Sequence, residues 1–286
     1  MKNQIVLLCV LFVLTAGVFA QDYVPSQQDL DQFYKTKTLI VLEENPMLEY
    51  NMVIKDVIEK EWKLTPYEFI KANEFEAKRM DPQYSFLVMT KVMFDRDNTK
   101  AQYKFLHLLL GGDYLRVNMM PDIVAIPMSF EDVEEESYIY KLASMVRLMH
   151  DHIDLITKRP DLITANVFKY YKDNLQDIRN KTMYVIGEEL NKDINSESLI
   201  KKVYPFPVKI VSKEEITQAI EERRKDIIFL HKVGPEGTKL VARCYKLVIG
   251  ADNPTLYYFD YHMIDDKHPD AFLKSDFVKM AKKGAE

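Results

Sequence analysis

Lys37-Thr38-Leu39-Ile40-Val41-Leu42 reappears later in the chain as Lys181-Thr182-Met183-Tyr184-Val185-Ile186. Pro66-Tyr67-Glu68-Phe69-Ile70 likewise returns as Pro207-Val208-Lys209-Ile210-Val211. From there the two stretches run in one register, through Glu74 and Glu215, to Lys91-Val92 and Lys232-Val233. After a hairpin two residues shorter in the second copy, Thr99-Lys100 meets Thr238-Lys239, and Leu108 to Asp113 meets Leu247 to Asp252. Order, spacing and hydrophobic pattern persist together, which points to an internal duplication.

Each copy reads as one string of elements. Leu39 to Leu42 is a continuous apolar run, as expected of a strand buried on both faces. A helix follows, with Tyr50, Ile54, Val57, Ile58 and Trp62 on one face; in the second copy it spans Ile194 to Val203, with Ser196 and Ser198 as candidate caps. A strand after each proline leads to a charged helix, where Ile216, Ala219 and Ile220 turn inward. Hairpin residues Asp95-Arg96-Asp97-Asn98 and Gly234-Pro235-Glu236-Gly237 separate two further strands. A last strand, Ile123 to Met128 or Leu256 to Ile264, and a closing helix complete the unit. The expected class is α/β, with an α+β type of mixed sheet, in two tandem β-α-β-α-β-β-β-α repeats joined by a helical pair.

That pair lies outside the matched stretches. Ile139, Leu142, Val146, Met149, Ile153 and Ile156 recur at steps of three and four, the spacing of a coiled-coil-like seam. Beyond Pro160, Val167, Tyr171, Leu175 and Ile178 are expected to line a second amphipathic helix. The two are expected to pack on each other and on the neighbouring sheet; a partner or dimer surface is the alternative. The chain thus divides into a leader, 1–20; an extension, 21–35; a first repeat, 36–131; a connector, 132–180; and a second repeat with its C-terminal helix, 181–286.

The first twenty residues read as a signal peptide: Lys2, an apolar run from Ile5 to Leu14, and small residues at the −3 and −1 positions of a cut after Ala20. Leu7-Leu8 precede Cys9 and the apolar run continues past it, which argues against a lipid-anchor site. The mature chain keeps one cysteine, Cys244, and so has no intramolecular disulfide. Periplasmic or secreted localisation is expected, with no membrane span after cleavage. Removal of Lys2 leaves 38 Lys and Arg against 44 Asp and Glu, a balance that disfavours general nucleic-acid binding. With 47% hydrophobic and 29% charged residues, the composition is that of a globular protein.

Chemistry is sparse. Phosphate-binding glycine motifs, G-x-S-x-G, H-E-x-x-H and paired C-x-x-C are absent from the sequence. Ser198-Leu199-Ile200-Lys201 has S-x-x-K spacing, but its companion motifs are missing and a helix-start serine explains it as well. His262, Asp266 and His268, with Asp265 and Asp270 beside them, form the one candidate metal-ligating cluster, although an exposed polar turn accounts for the same residues. His150 and His152 are two apart on a helix and face different sides. Asn180-Lys181-Thr182 matches a glycosylation acceptor at a strand start.

The order of elements across Lys37 to Met128 and Lys181 to Ile264 resembles the family of bacterial envelope domains that includes the TolB amino-terminal domain, CsgG and LpoB. The resemblance implies protein-protein work in the envelope without catalysis, and it transfers no functional residue. The expectation is a non-catalytic exported protein acting as a protein-binding or scaffolding module. It needs no cofactor, its partner is an envelope protein, and homo-oligomerisation is left open. The alternatives are a metal-assisted enzyme and a small-ligand or glycan-binding protein with a site near the second repeat. The aromatic strand Tyr257-Tyr258-Phe259-Asp260-Tyr261 supports the latter.

Overall fold

The computed structural model describes residues 24–164, 167–236, 240–253 and 255–285. The leader, with Cys9 and the cut after Ala20, lies outside these residues, as do Gly237, Thr238 and Lys239. The elements are α1 (Gln27–Phe33), β1 (Lys37–Leu42), α2 (Glu49–Glu61), β2 (Tyr67–Lys71), α3 (Ala72–Lys78), β3 (Tyr84–Met93), β4 (Gln102–Leu110), β5 (Asp122–Phe130) and α4 (Leu142–Lys158). The chain continues through α5 (Phe168–Tyr171), β6 (Thr182–Val185), α6 (Glu197–Ile200), β7 (Val208–Ile210), α7 (Lys213–Glu221), β8 (Ile227–Val233), β9 (Arg243–Gly250), β10 (Leu256–Met263) and α8 (Lys274–Gly284).

Two five-stranded mixed sheets result, in the orders β2-β1-β3-β4-β5 and β7-β6-β8-β9-β10. In both, the first strand pairs in parallel with the second and third, and the last three form an antiparallel meander. The same topology twice is what a tandem duplication produces.

The register, however, differs from the sequence match. Thr38 N bonds Pro66 O while Met183 N bonds Pro207 O, so Thr38 corresponds to Met183, not to Thr182. Gly111 N bonds Tyr84 O as Ala251 N bonds Ile227 O, which slips the fourth strand by one as well. A one-residue slip exchanges the faces of a strand. With the register corrected, Leu39 is equivalent to Tyr184, Phe86 to Phe229 and Leu109 to Ile249.

Each sheet has a front, covered by the first crossover helix (α2 or α6), and a back, covered by the second (α3 or α7). Ile40, Leu87 and Leu108 on the front of the first sheet share the largest core with α1, α2 and α4. That same core holds Phe229, Leu247, Ile249 and the α7 residues Ile216 and Ile220, all from the back of the second sheet. The units therefore stack front to back. The front of the second sheet has its own core with Ile200, Leu175, Ile178 and Phe277, and the back of the first has a small one around Phe75.

This arrangement places the helices between the repeats. α4 packs on α2, α1 and β5, as α8 packs on the front of the second sheet, so α4 is the closing helix of the first unit. The segment Lys172–Asn180 stands to β6 as α1 stands to β1. The expected second amphipathic helix is thus a short α-helix, α5, that runs into this 3₁₀ segment. Leu175 and Ile178 are three apart, a spacing that 3₁₀ geometry puts on one line, and they enter the front core of the second unit. Tyr171 packs against the other core instead. The two connector segments thus meet only at the start of the second, where Tyr171 packs beside His152 of α4, and its remainder belongs to the second unit. Among the described residues no helix is long and apolar enough to cross a membrane.

Polar bonds rivet the interface between units. Arg147 of α4 donates to Ile220 O and Ala251 O at 3.1 Å each, with Glu61 at 3.2 Å. His231 Nε2 donates to Pro127 O at 2.9 Å, and Tyr103 Oη accepts from Arg243 N at 2.5 Å.

Candidate functional site

The C-terminal histidines come near each other without converging. The rings of His262 and His268 are 6.1 Å apart, but His262 Nε2 bonds Pro269 O at 2.9 Å, and a carbonyl only accepts. That nitrogen therefore carries its proton, and Nδ1 is buried without a partner. Burial and the Lys246 charge hold the His262 ring below its ordinary pKa. His268 is half-exposed and bonds Asp265 at 2.9 Å, so Asp265, rather than Asp266, is its partner. That bond and two backbone donors take Asp265 down to about 2. Among the described residues no group of three His, Cys, Asp or Glu side chains is placed to hold a metal ion.

The S-x-x-K spacing dissolves in the same way. Ser196, not Ser198, caps α6 by accepting from Leu199 N, and Lys201 lies 3.8 Å from Glu197. On α4, His150 lies beside Asp151, whereas His152 bonds Tyr171 at 2.8 Å.

Ligand crevices in open α/β sheets form where crossover helices leave a central strand toward opposite faces, at the carboxyl ends of the strands. Both units have one. In the second, a crevice of about 780 Å³ is lined by Gly187 and Glu189 after β6, Ser212 before α7, Lys232 on β8, and Asp270. Glu188, Lys213, Glu214 and Glu236 line it as well, and two ion pairs lie within it: Lys232 to Asp270 at 2.8 Å, and Lys141 of the first unit to Glu189 at 3.2 Å. These are fixed interior ion pairs that close the crevice floor.

In the first unit the equivalent crevice, about 770 Å³, opens onto the back of the sheet. Val88, Thr90, His107 and Leu109 form its floor, and Arg116 and Val117 form a wall. His107 Nδ1 bonds Asp122 Oδ2 at 2.7 Å, the geometry of an oriented imidazole. Its Nε2 has no partner and almost no accessible surface, so the ring is packed rather than presented to a substrate. The sequence gives no sign of this pair, because it depends on the register of β4 against β5.

The back of the first sheet is the more open surface. On the second sheet the same face lies under α4 and β5 of the first unit. On the first, among the described residues, the part around Phe75 and Phe86 is covered by α3 and by the loop between β4 and β5, which contributes Met120 and Val117, while Tyr103 and Phe105 farther along β4 pack on Tyr245 of the second unit. Around the crevice Met119 is 54% exposed and Leu115 81%. None of the family models, curated proteins or solved structures compared with the chain matches it.

Proposed function

We propose that this chain is a non-catalytic, exported binding protein that docks a protein partner on the back of its first sheet. One observation carries the reading: front-to-back stacking buries the back of the second sheet under a helix-bearing neighbour, whereas among the described residues the crevice side of its counterpart on the first sheet has α3 and one loop over it and no such neighbour. An interface of this kind joins two different surfaces, so an unused copy of one surface remains at the end of the stack. The partner would present an apolar helical layer, as α4 does to the second sheet, and would bury Met119 and Leu115, whose flexible or apolar side chains adapt to a binding surface. At the other end, α8 covers the front of the second sheet and turns Lys274, Lys279 and Lys282 outward, a polar cap. The leader-like first twenty residues and a mature chain with one cysteine support export to a bacterial envelope.

The test is a photo-crosslinking residue placed at Leu115 or Met119 and, as a control, at Val278 on α8. A discrete protein adduct from the first two sites and none from the third is the expected result. Equal labelling at all three, or none at Leu115 and Met119, overturns the reading.

A further inference from the structure

A third cavity, of about 270 Å³, lies at the seam between the units, where β5, the C-terminal half of α4 and strands β9 and β10 meet. Its wall is apolar: Val124 and Ile126 come from β5, Leu148 and Ile156 from α4, and Leu247 and Phe259 from the second sheet. Phe168 closes one side, its ring stacked on Phe259 at 4.4 Å and 8°. Apolar cavities between packed units are poor hosts for water and good hosts for apolar ligands.

The polar feature of this wall is the 2.8 Å bond between His152 Nδ1 and Tyr171 Oη. Burial takes His152 down to about 4, so the ring is neutral under ordinary conditions, and burial holds the Tyr171 phenol above its usual range. The phenol is the stronger acid of two neutral groups and donates to Nδ1. The single imidazole proton is then on Nε2, which makes no hydrogen bond among the described residues. No lysine or arginine lines the cavity, and Asp122 does, so an anion has nothing to neutralise it there.

We propose that this cavity binds one small, uncharged and largely apolar molecule whose carbonyl or ester oxygen accepts a hydrogen bond from His152 Nε2. The two units supply opposite walls, so the ligand also bridges them. The site is separate from the docking face on the back of the first sheet, and either can fail without the other.

The experiment uses the purified protein, an uncharged naphthylamine dye, methyl decanoate and decanoate. The dye is expected to bind saturably at one site and to be displaced by methyl decanoate, with decanoate at least about tenfold weaker. Leu148→Trp, which fills the cavity from α4, is expected to abolish binding. Should that variant fail to fold, Val124→Phe at the half-buried strand position decides. His152→Phe is expected to weaken the ester about tenfold while leaving the dye unchanged, the loss of one hydrogen bond. Absence of saturable binding by the native protein, unchanged binding in the filled variants, equal loss of dye and ester in His152→Phe, or tighter binding of decanoate overturns the proposal.

Discussion

The ammonium of Lys246 and the carboxylate of Asp276 lie 2.6 Å apart in the interior of the second unit, with 2% and 1% of their side chains exposed. The carboxylate also accepts from Tyr258 Oη at 3.0 Å and from Leu273 N at 2.8 Å, so the start of α8 is pinned to the front of the sheet. At the equivalent place in the first unit stands Leu106, fully buried in an apolar core. Removing one partner of a buried pair leaves an uncompensated charge, so Asp276→Ala is expected to lose about 3–5 kcal/mol of stability. Lys246→Leu combined with Asp276→Leu should recover most of that loss. Urea unfolding midpoints of the three proteins check both statements.

Much of the architecture was legible because hydrophobic pattern and turn chemistry are local. Leu39 to Val41 reads as a doubly buried strand from its composition, and Asn98 ends the first hairpin at φ 51°, as a turn asparagine can. Register was not legible. Thr38 and Thr182 look equivalent in sequence, but backbone pairing depends on contacts with Pro66 and Pro207 that lie far along the chain. The slip hid the front-to-back stacking, because it assigns Leu39 and Tyr184 to opposite faces. The apolar steps of α4 announced burial, not the neighbour: Met149 and Ile153 say that a face is covered but not that it closes the first unit. Lys246 and Asp276 are 30 residues apart, and a lysine within a strand carries no mark of its eventual partner.

Burial, together with the charges of Lys141 and Lys232, pushes His231 down to about 3. His152 is depressed in the same sense, to about 4. A histidine held neutral in the fold and free to protonate when unfolded contributes its full stability above about pH 6.5, and that contribution falls as pH drops toward the folded value. Each such histidine sets a slope of at most about 1.4 kcal/mol per pH unit in that window. His231→Gln keeps a donor for Pro127 O but cannot titrate. Stability of this variant between about pH 6 and pH 4 is expected to fall less steeply than that of the native protein, by about one proton. Parallel slopes in denaturant titrations would remove His231 from the account.

A Cβ added at Gly234 would sit 1.9 Å from Asp270 Oδ1 and 2.6 Å from its carboxyl carbon. The carboxylate is held 2.8 Å from buried Lys232, so it cannot move without leaving that ammonium unpaired. Gly234→Ala is expected to cost about 3 kcal/mol or more. In a Lys232→Met, Asp270→Ser background the same change should cost less than about 1 kcal/mol, because nothing is left to displace. Met89 occupies the position of Lys232 in the first unit, which makes methionine the natural replacement. Thermal melts of the double-mutant cycle measure the difference directly.

The docking face makes a prediction that separates binding from folding. Leu115 and Met119 are each more than half exposed, so Leu115→Glu and Met119→Glu should change stability by no more than about 0.5 kcal/mol. A partner layer that desolvates these side chains would have to bury the new carboxylates without a counter-charge, at a cost of several kcal/mol. Combined, the two changes are expected to abolish the crosslinked adduct formed from Asn118, which lines the same crevice, while leaving the unfolding midpoint in place. Val278→Glu, on the lysine-rich cap at the opposite end, should leave the adduct intact, since its surroundings already favour an added acid. An adduct that survives the double change, or disappears only with Val278→Glu, would move the binding surface away from the first sheet and deprive the stacking geometry of its functional meaning.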